Sequence, residues 1–358
     1  MIQTRAFGQE CFFAGESRSR KTFHSEAAVF IDDFLAVLTG AGGRPEDLDC
    51  LRFYFSDIAN QAPVFRVALA ATGLAEKASL IGQAPISGAR IAVEAWCLGR
   101  PLSQTVHWLP GALAPTGGSG RDTAAAFQAL AGQLGEKGLT VADHVVRTWL
   151  YCRDIDNNYA GLVKARNEFF AAHGLTADTH FIASTGIEGR MENPHTLVKL
   201  DALAMAGLAA GQVSYLQAPE MLSRTIDYGV SFERGTRVMH RDRSHYLISG
   251  TASIDKFGRT LHEGDSALQT GRLLDNIEAL LASGNAALSD LVVATLYLRD
   301  PADAKTAADM LRPRLPEGLP MNVVQASVCR PAWLVELEAL AVNDKGTGRA
   351  DTPLFRAE

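Results

Sequence analysis

EDLDCLRFYFSD at 46–57, DHVVRTWLYCRD at 143–154 and SDLVVATLYLRD at 289–300 are three copies of one pattern, a strand-like apolar run that follows a helical stretch and closes on aspartate. Superposing Asp57, Asp154 and Asp300 also superposes Tyr54, Tyr151 and Tyr297. About 40 residues beyond each aspartate a second apolar run carries an acid: Glu94 in IAVEAWCL, Asp201 in LVKLDALAM and Glu338 in LVELEALAV. Two matched landmarks in each third make the chain a tandem repeat. Its 358 residues are expected to build more than one core, since single cores stop growing beyond roughly 250 residues.

Working outward in the third copy, HYLISGTASI at 245–254 is β-rich and ends in a polar turn at 256–258. Residues 262–284 then space their apolar side chains near the helical period before a closing glycine. A second helix is predicted over 302–315 and a final strand pair over 323–342. Paired strands with two intervening helices predict an α+β fold whose helices cover one face of a mixed sheet. The bare face needs a partner, which the other copies can supply in an intrachain pseudo-trimer. The expected division is a degenerate first unit over 1–103, a second unit over 104–211, a linker over 212–230, a third unit over 231–344 and a disordered tail over 345–358.

No run approaches the roughly 20 apolar residues of a membrane span, and the opening MIQTRAFGQE lacks an apolar export segment. Cys11, Cys50, Cys97, Cys152 and Cys329 are odd in number and widely spread, so they read as free thiols in a reducing cytoplasm. A formal charge of −6 without a basic stripe argues against nucleic acid. CxxC, HExxH and EF-hand patterns are absent and the nine histidines do not cluster, so neither a metal nor an organic cofactor is expected. The glycine-rich PTGGSGRD at 115–122 lacks the spacing of a phosphate cradle and reads as a connector. The expected partner is a small anionic metabolite, and the expected state a monomer or homodimer.

The third unit carries ISGTASI at 248–254, TLHEGD at 260–265, Gln269, Asn276 and Ile277 in its helix, TLYLRD at 295–300 and VELEALA at 335–341. In these it resembles the YjgF/Rid superfamily. Across the whole chain the tandem arrangement is similar to the chorismatase branch. That likeness is carried by YAGLVKAR at 159–166, ASTGIEG at 183–189, FERG at 232–235, SGTASI at 249–254 and QASVCRPAWLVE at 325–336. The resemblance implies a trimer-like packing of Rid units with substrate in clefts between them. Single-domain Rid enzymes hydrolyse enamines and imines and hold the substrate carboxylate with an arginine. Asn322 stands at that strand position here, and FIASTG at 181–186 also lacks the arginine. Chorismatases use a glutamate of the last strand to protonate the enolpyruvyl group of chorismate, and Glu336 falls at that place. The resemblance thus implies a cofactor-free hydrolase of a small anionic enol ether or enamine, with chorismate and release of pyruvate among the options. An enamine/imine deaminase and a non-catalytic small-ligand sensor or partner-binding module are the alternatives.

Glu336 and Glu338 are two apart on one strand and share a face, with Trp333, Val335 and Leu337 expected on the other. In the repeat register Glu338 matches Asp201 and Glu94, whereas Glu336 matches Lys199 and Ala92. The acid peculiar to one unit is the candidate catalyst, and the recurring acid reads as structural. Facing inward, desolvation and mutual repulsion would hold one carboxyl protonated near neutral pH; facing outward, both would pair with lysine or arginine. Cys329 reads as a core hydrophobe or, through the resemblance, as a member of the catalytic set beside Glu336 that shapes the pocket rather than acting as a nucleophile. Tyr159 and Arg166, seven apart on a helix, lie on one face and could grip a carboxylate. Arg234 and Arg330 are further candidates, and each of these arginines reads equally as a solvated surface residue. Gly250, Thr251 and Ser253 offer backbone N–H groups and hydroxyls to a ligand, or form a plain bulge. Gln325, in the motif carrying the resemblance, completes the substrate-binding set.

Overall fold

The computed structural model describes residues 1–98, 104–111, 115–349 and 352. The first third runs β1 (Ile2–Phe7), β2 (Glu10–Glu16), α1 (Phe23–Gly40), β3 (Cys50–Phe55), α2 (Ile58–Leu69), β4 (Ser79–Ile81) and β5 (Ile91–Cys97). The middle third supplies β6 (Thr105–Leu109), α3 (Ser119–Gly135), α4 (Val141–His144), β7 (Val145–Cys152), α5 (Ile155–Ala172), β8 (Ala183–Glu188) and β9 (Val198–Ala206). The last third carries β10 (Val213–Tyr215), β11 (Gly235–Met239), β12 (Ser244–Ala252), α6 (Ser266–Ser283), β13 (Leu291–Leu298), α7 (Ala304–Leu311), β14 (Met321–Gln325) and β15 (Val335–Asn343).

The sheets are ordered β1-β2-β5-β3-β4, β6-β9-β7-β8 and β10-β11-β12-β15-β13-β14. In each, the strand closing on the repeated tyrosine pairs in parallel with the next strand of its unit, because a helix crosses between them. Its other edge pairs antiparallel with the acid-bearing strand. There Arg52, Trp149 and Thr295 stand opposite Glu94, Asp201 and Glu338, while Tyr54, Tyr151 and Tyr297 stand opposite Ala92, Lys199 and Glu336. The repeat in the sequence is therefore a repeat in space.

Period-two alternation gives each sheet two apolar faces. Leu51, Phe53 and Phe55 pack with Phe34 and Phe65 under α1 and α2. Leu150 and Cys152 likewise pack beneath Phe127 and Phe170 of α3 and α5. The alternate residues Tyr54, Ala92 and Trp96 enter another cluster, shared with Trp149 and Leu203 of the second unit and Tyr297 and Leu337 of the third. The rings of Trp96 and Trp149 lie 5.7 Å apart there. Each large side chain buried in this way contributes about 1.5–3 kcal/mol, so the units stabilise one another. Backbone bridges join Gly82 to Arg190, Pro85 to Val324 and Ile187 to Val328.

Several connectors are more ordered than the sequence suggested. Residues 119–122 of the glycine-rich stretch start α3, and Asp122 accepts the Thr116 N–H at 2.7 Å. The linker over 212–230 contributes β10 to the edge of the third sheet. The described tail is tied down rather than disordered: Thr347 N–H donates to His240 O at 2.8 Å and Gly348 N–H to Arg241 O at 3.1 Å. The expected boundary at 103 and tail residues 350, 351 and 353–358 lie outside the described residues. No described helix is long and apolar enough to cross a membrane.

Candidate active site

Glu336 and Glu338 both point away from solvent, but their surroundings differ. Glu338 accepts hydrogen bonds from Arg147 at 2.9 Å, from Trp149 Nε1 at 3.0 Å and from the Thr185 hydroxyl, and it pairs with Arg52 at 2.9 Å. Burial opposes its ionisation, yet the two guanidinium groups and these hydrogen bonds outweigh that penalty and hold its pKa below the usual value. Arg52, from the first unit, also binds Glu94, which accepts the Thr295 hydroxyl of the third unit. Ions from all three units thus neutralise one another at the shared centre, the condition under which buried charge is tolerated. The structural reading of the recurring acid fits these contacts.

Glu336 is also buried, but its Oε1 has no hydrogen-bond partner. Burial, followed by the charge of Glu338, pushes its pKa up to about 8, with Arg147 and Arg234 pulling the other way. At neutral pH it is a carboxylic acid. Gly250 makes room for it: a Cβ built there would lie 2.3 Å from Glu336 Oε1 and 3.0 Å from Thr185 Cγ2. The β12 register shifts at this point, between Ile248 and Thr251, and the Gly250 N–H donates to Thr185 Oγ1 at 2.9 Å.

Glu336 lines a cavity of about 200 Å³ between the second and third units. Tyr159 and Arg166 reach it from one face of α5, while Arg234, Cys329 and Arg330 reach it from the third unit. Arg166 and Arg234 are not solvated surface residues, and Arg330 is half-buried. Arg166 is 1% exposed with Nε and Nη2 unpartnered, and Arg234 is 6% exposed with Nε unpartnered and Nη2 donating to Ser223 O at 3.1 Å. Arg330 donates to Gly258 O at 2.8 Å and lies 4.6 Å from the ring centres of both Tyr228 and Trp333. Three guanidinium groups beside a neutral acid give the cavity a cationic wall, on which a carboxylate could accept charge-assisted bidentate hydrogen bonds. Burial, then the charge of Glu336, pushes the Cys329 thiol up to about 12, so it is no thiolate nucleophile at neutral pH.

Three expected residues lie elsewhere. Gly250 and Ala252 line the cavity, so strand alternation turns Thr251 and Ser253 away; their hydroxyls donate to Ser249 O at 2.9 Å and Leu261 O at 2.8 Å. Gln325 lines a separate cavity of about 300 Å³ where the three units meet. Trp333 was expected on the face opposite Glu336 but lines the same cavity, because β15 begins only at Val335 and the alternation does not extend back to it. Among the register-equivalent positions Ala92, Lys199 and Glu336, only the last is an acid. Asn322, at the expected arginine position, donates to Val93 O at 2.9 Å.

Arg52, Arg147, Tyr228 and Phe232 were missed by motif reasoning. A signal existed for the first two: an arginine inside an apolar strand, as in LRFYF or VVRTWLYC, requires a buried partner. Tyr228 and Phe232 depend on the path of the segment before β11, which carries no periodicity.

The family described as Endoribonuclease L-PSP matches residues 236–343. Among known relatives, 3-aminoacrylate deaminase RutC of Acinetobacter baylyi is 30% identical over 95 residues, covering 26% of this chain and 75% of its own. The 3-hydroxybenzoate synthase of Streptomyces hygroscopicus is 26% identical over 262 residues, covering 65% of this chain and 72% of its own. Among solved structures, a chorismatase superposes with a TM-score of 0.62 at 20% identity, covering 82% of this chain and 92% of that one.

Proposed function

This chain belongs to the YjgF/Rid superfamily, in a tandem form with a chorismatase-like fold, and we propose that it hydrolyses a small dianionic enol ether, with chorismate as substrate and pyruvate as one product. The observation that carries the reading is Glu336, a buried carboxyl with a pKa raised to about 8, unpartnered at Oε1 and facing the arginine-lined cavity. Protonating a vinyl carbon requires an acid that is still neutral at the working pH. An ordinary glutamate is not.

In the proposed reaction the Glu336 proton moves to the terminal carbon of the enolpyruvyl group, whose π electrons form the new C–H bond. The adjacent carbon becomes an oxygen-stabilised cation. Water adds to it and returns a proton to the Glu336 carboxylate. The hemiketal hydroxyl then gives up its proton and becomes the keto oxygen as the bond from the hemiketal carbon to the ether oxygen breaks, that proton passes to the ether oxygen, and a keto acid and a ring alcohol leave. Arg234 is assigned the carboxylate next to the vinyl group, because its charge already acts on Glu336. Arg166 and Arg330 are assigned the ring carboxylate. Tyr159 and Cys329 shape the wall between them. The name of the Streptomyces relative, a 3-hydroxybenzoate synthase, supports a small carboxylated ring as the substrate class, on a fold shared with a chorismatase.

The test is incubation with chorismate while pyruvate is followed through lactate dehydrogenase, in the native chain and in Glu336→Gln. Turnover is expected to fall by roughly 10²–10⁴ in the variant. A second arm supplies enzymatically generated 2-aminoacrylate. Keto acid from that arm alone would move the assignment to an imine deaminase, despite Asn322 at the arginine position.

A further inference from the structure

A second cavity of about 100 Å³ adjoins the first and shares Phe232 and Arg234 with it. We infer that this side cavity is a subsite for a short keto acid anion; naming pyruvate as that anion rests on the cleavage proposed above. Two buried donors on its wall lack partners: Nε of Arg234 and the hydroxyl of Ser223, each residue 6% exposed. A keto acid anion offers only acceptors, a carboxylate and a carbonyl oxygen, and so complements both. Several other polar groups of the wall are already engaged. Thr225 donates its hydroxyl to Phe232 O, and Arg224 donates to Ala177 O at 3.2 Å. The His180 ring nitrogen lies 3.0 Å from Ala142 O, and that ring stacks on Tyr215.

The charge balance agrees. Burial raises the Glu233 carboxyl above its ordinary value, and its Oε1 accepts the Phe181 N–H at 3.0 Å. Arg224 and Arg234 outnumber this one carboxylate on the wall, so the cavity is cationic. Its volume suits a fragment of a few heavy atoms, given that one water takes roughly 30 Å³. The ring product is too large for it. Arg234 belongs to both walls, so a carboxylate held there beside Glu336 needs only a short move to enter the side cavity when the bond to the ring breaks. The small product then has a place distinct from that of the ring.

Sodium pyruvate is titrated into the resting protein by ligand-observed NMR and soaked into crystals, with sodium acetate as the comparison. Two variants fill the cavity: Ser223→Leu from its wall and Ala177→Trp from its exposed rim, the latter keeping the test valid if the former does not fold. Both are expected to weaken pyruvate binding about tenfold or more, while Arg166→Gln, in the larger cavity, changes it by less than about twofold. Pyruvate density is expected beside Arg234 and Ser223. The inference is overturned if the native chain shows no saturable binding, if acetate binds as well as pyruvate, or if Arg166→Gln abolishes binding and the filling variants do not. No step requires turnover, so failure of the cleavage reading and failure of the subsite are told apart.

Discussion

Replacing Glu336 by glutamine should make the stability of the protein less dependent on pH, whatever the substrate is. The folded chain holds the Glu336 proton up to about pH 8, whereas an unfolded glutamate releases it near 4.5. Between those values folding takes up a proton, so stability falls as pH rises, by about 1.4 kcal/mol per unit. The effect is absent below pH 4.5, amounts to about 3 kcal/mol at pH 7 and levels off near 5 kcal/mol above pH 8. Glutamine has the same shape and cannot ionise. The assay is denaturant unfolding of both proteins at intervals from pH 5 to 9, with the difference in stability plotted against pH, so that titrating groups not coupled to Glu336 cancel. The variant should gain steadily on the native chain up to about pH 8 and then run parallel to it. A difference that stays constant with pH would show that Glu336 ionises normally in the folded chain, and the acid mechanism would fall with it.

Gly250→Ala places a methyl group against Glu336 Oε1 and should cost about 1–3 kcal/mol by overpacking; denaturation midpoints and loss of pyruvate release would report it, and a fully active, equally stable variant would contradict the packing. Arg52→Met lies outside the cavity yet strips Glu338 and Glu94 of a buried partner, so it should cost about 3–5 kcal/mol. Arg66→Ala, which breaks an ion pair exposed to 46% and 34%, should cost about 1 kcal/mol or less; equal losses from the two would dissolve the distinction. Cys329, with its thiol pushed up to about 12 by burial, should resist iodoacetamide in the folded protein near neutral pH. Cys329→Ser should keep turnover within about tenfold, and a mass-detected acyl or aryl adduct on this sulfur would reverse that assignment.

The threefold repeat, the strand and helix order and the candidacy of Glu336 were all legible in the chain itself. Strand periodicity and the spacing of matched landmarks are local properties, and the registers opposite Tyr54, Tyr151 and Tyr297 follow from them. Tertiary structure decided which groups share a cavity. Arg166 and Arg234 are far apart in sequence, and nothing local distinguishes a guanidinium in a cleft between units from one in water. Strand alternation at a bulge decided against Thr251 and Ser253, because Gly250 had to meet Glu336 and its neighbours then faced away. The two acids of β15 illustrate the division best. The sequence places them on one face, but which is ionised depends on Arg52 and Arg147, brought from two other units. Charge in a buried site is set by the groups within a few ångströms, and only the packing of the three units determines which groups those are.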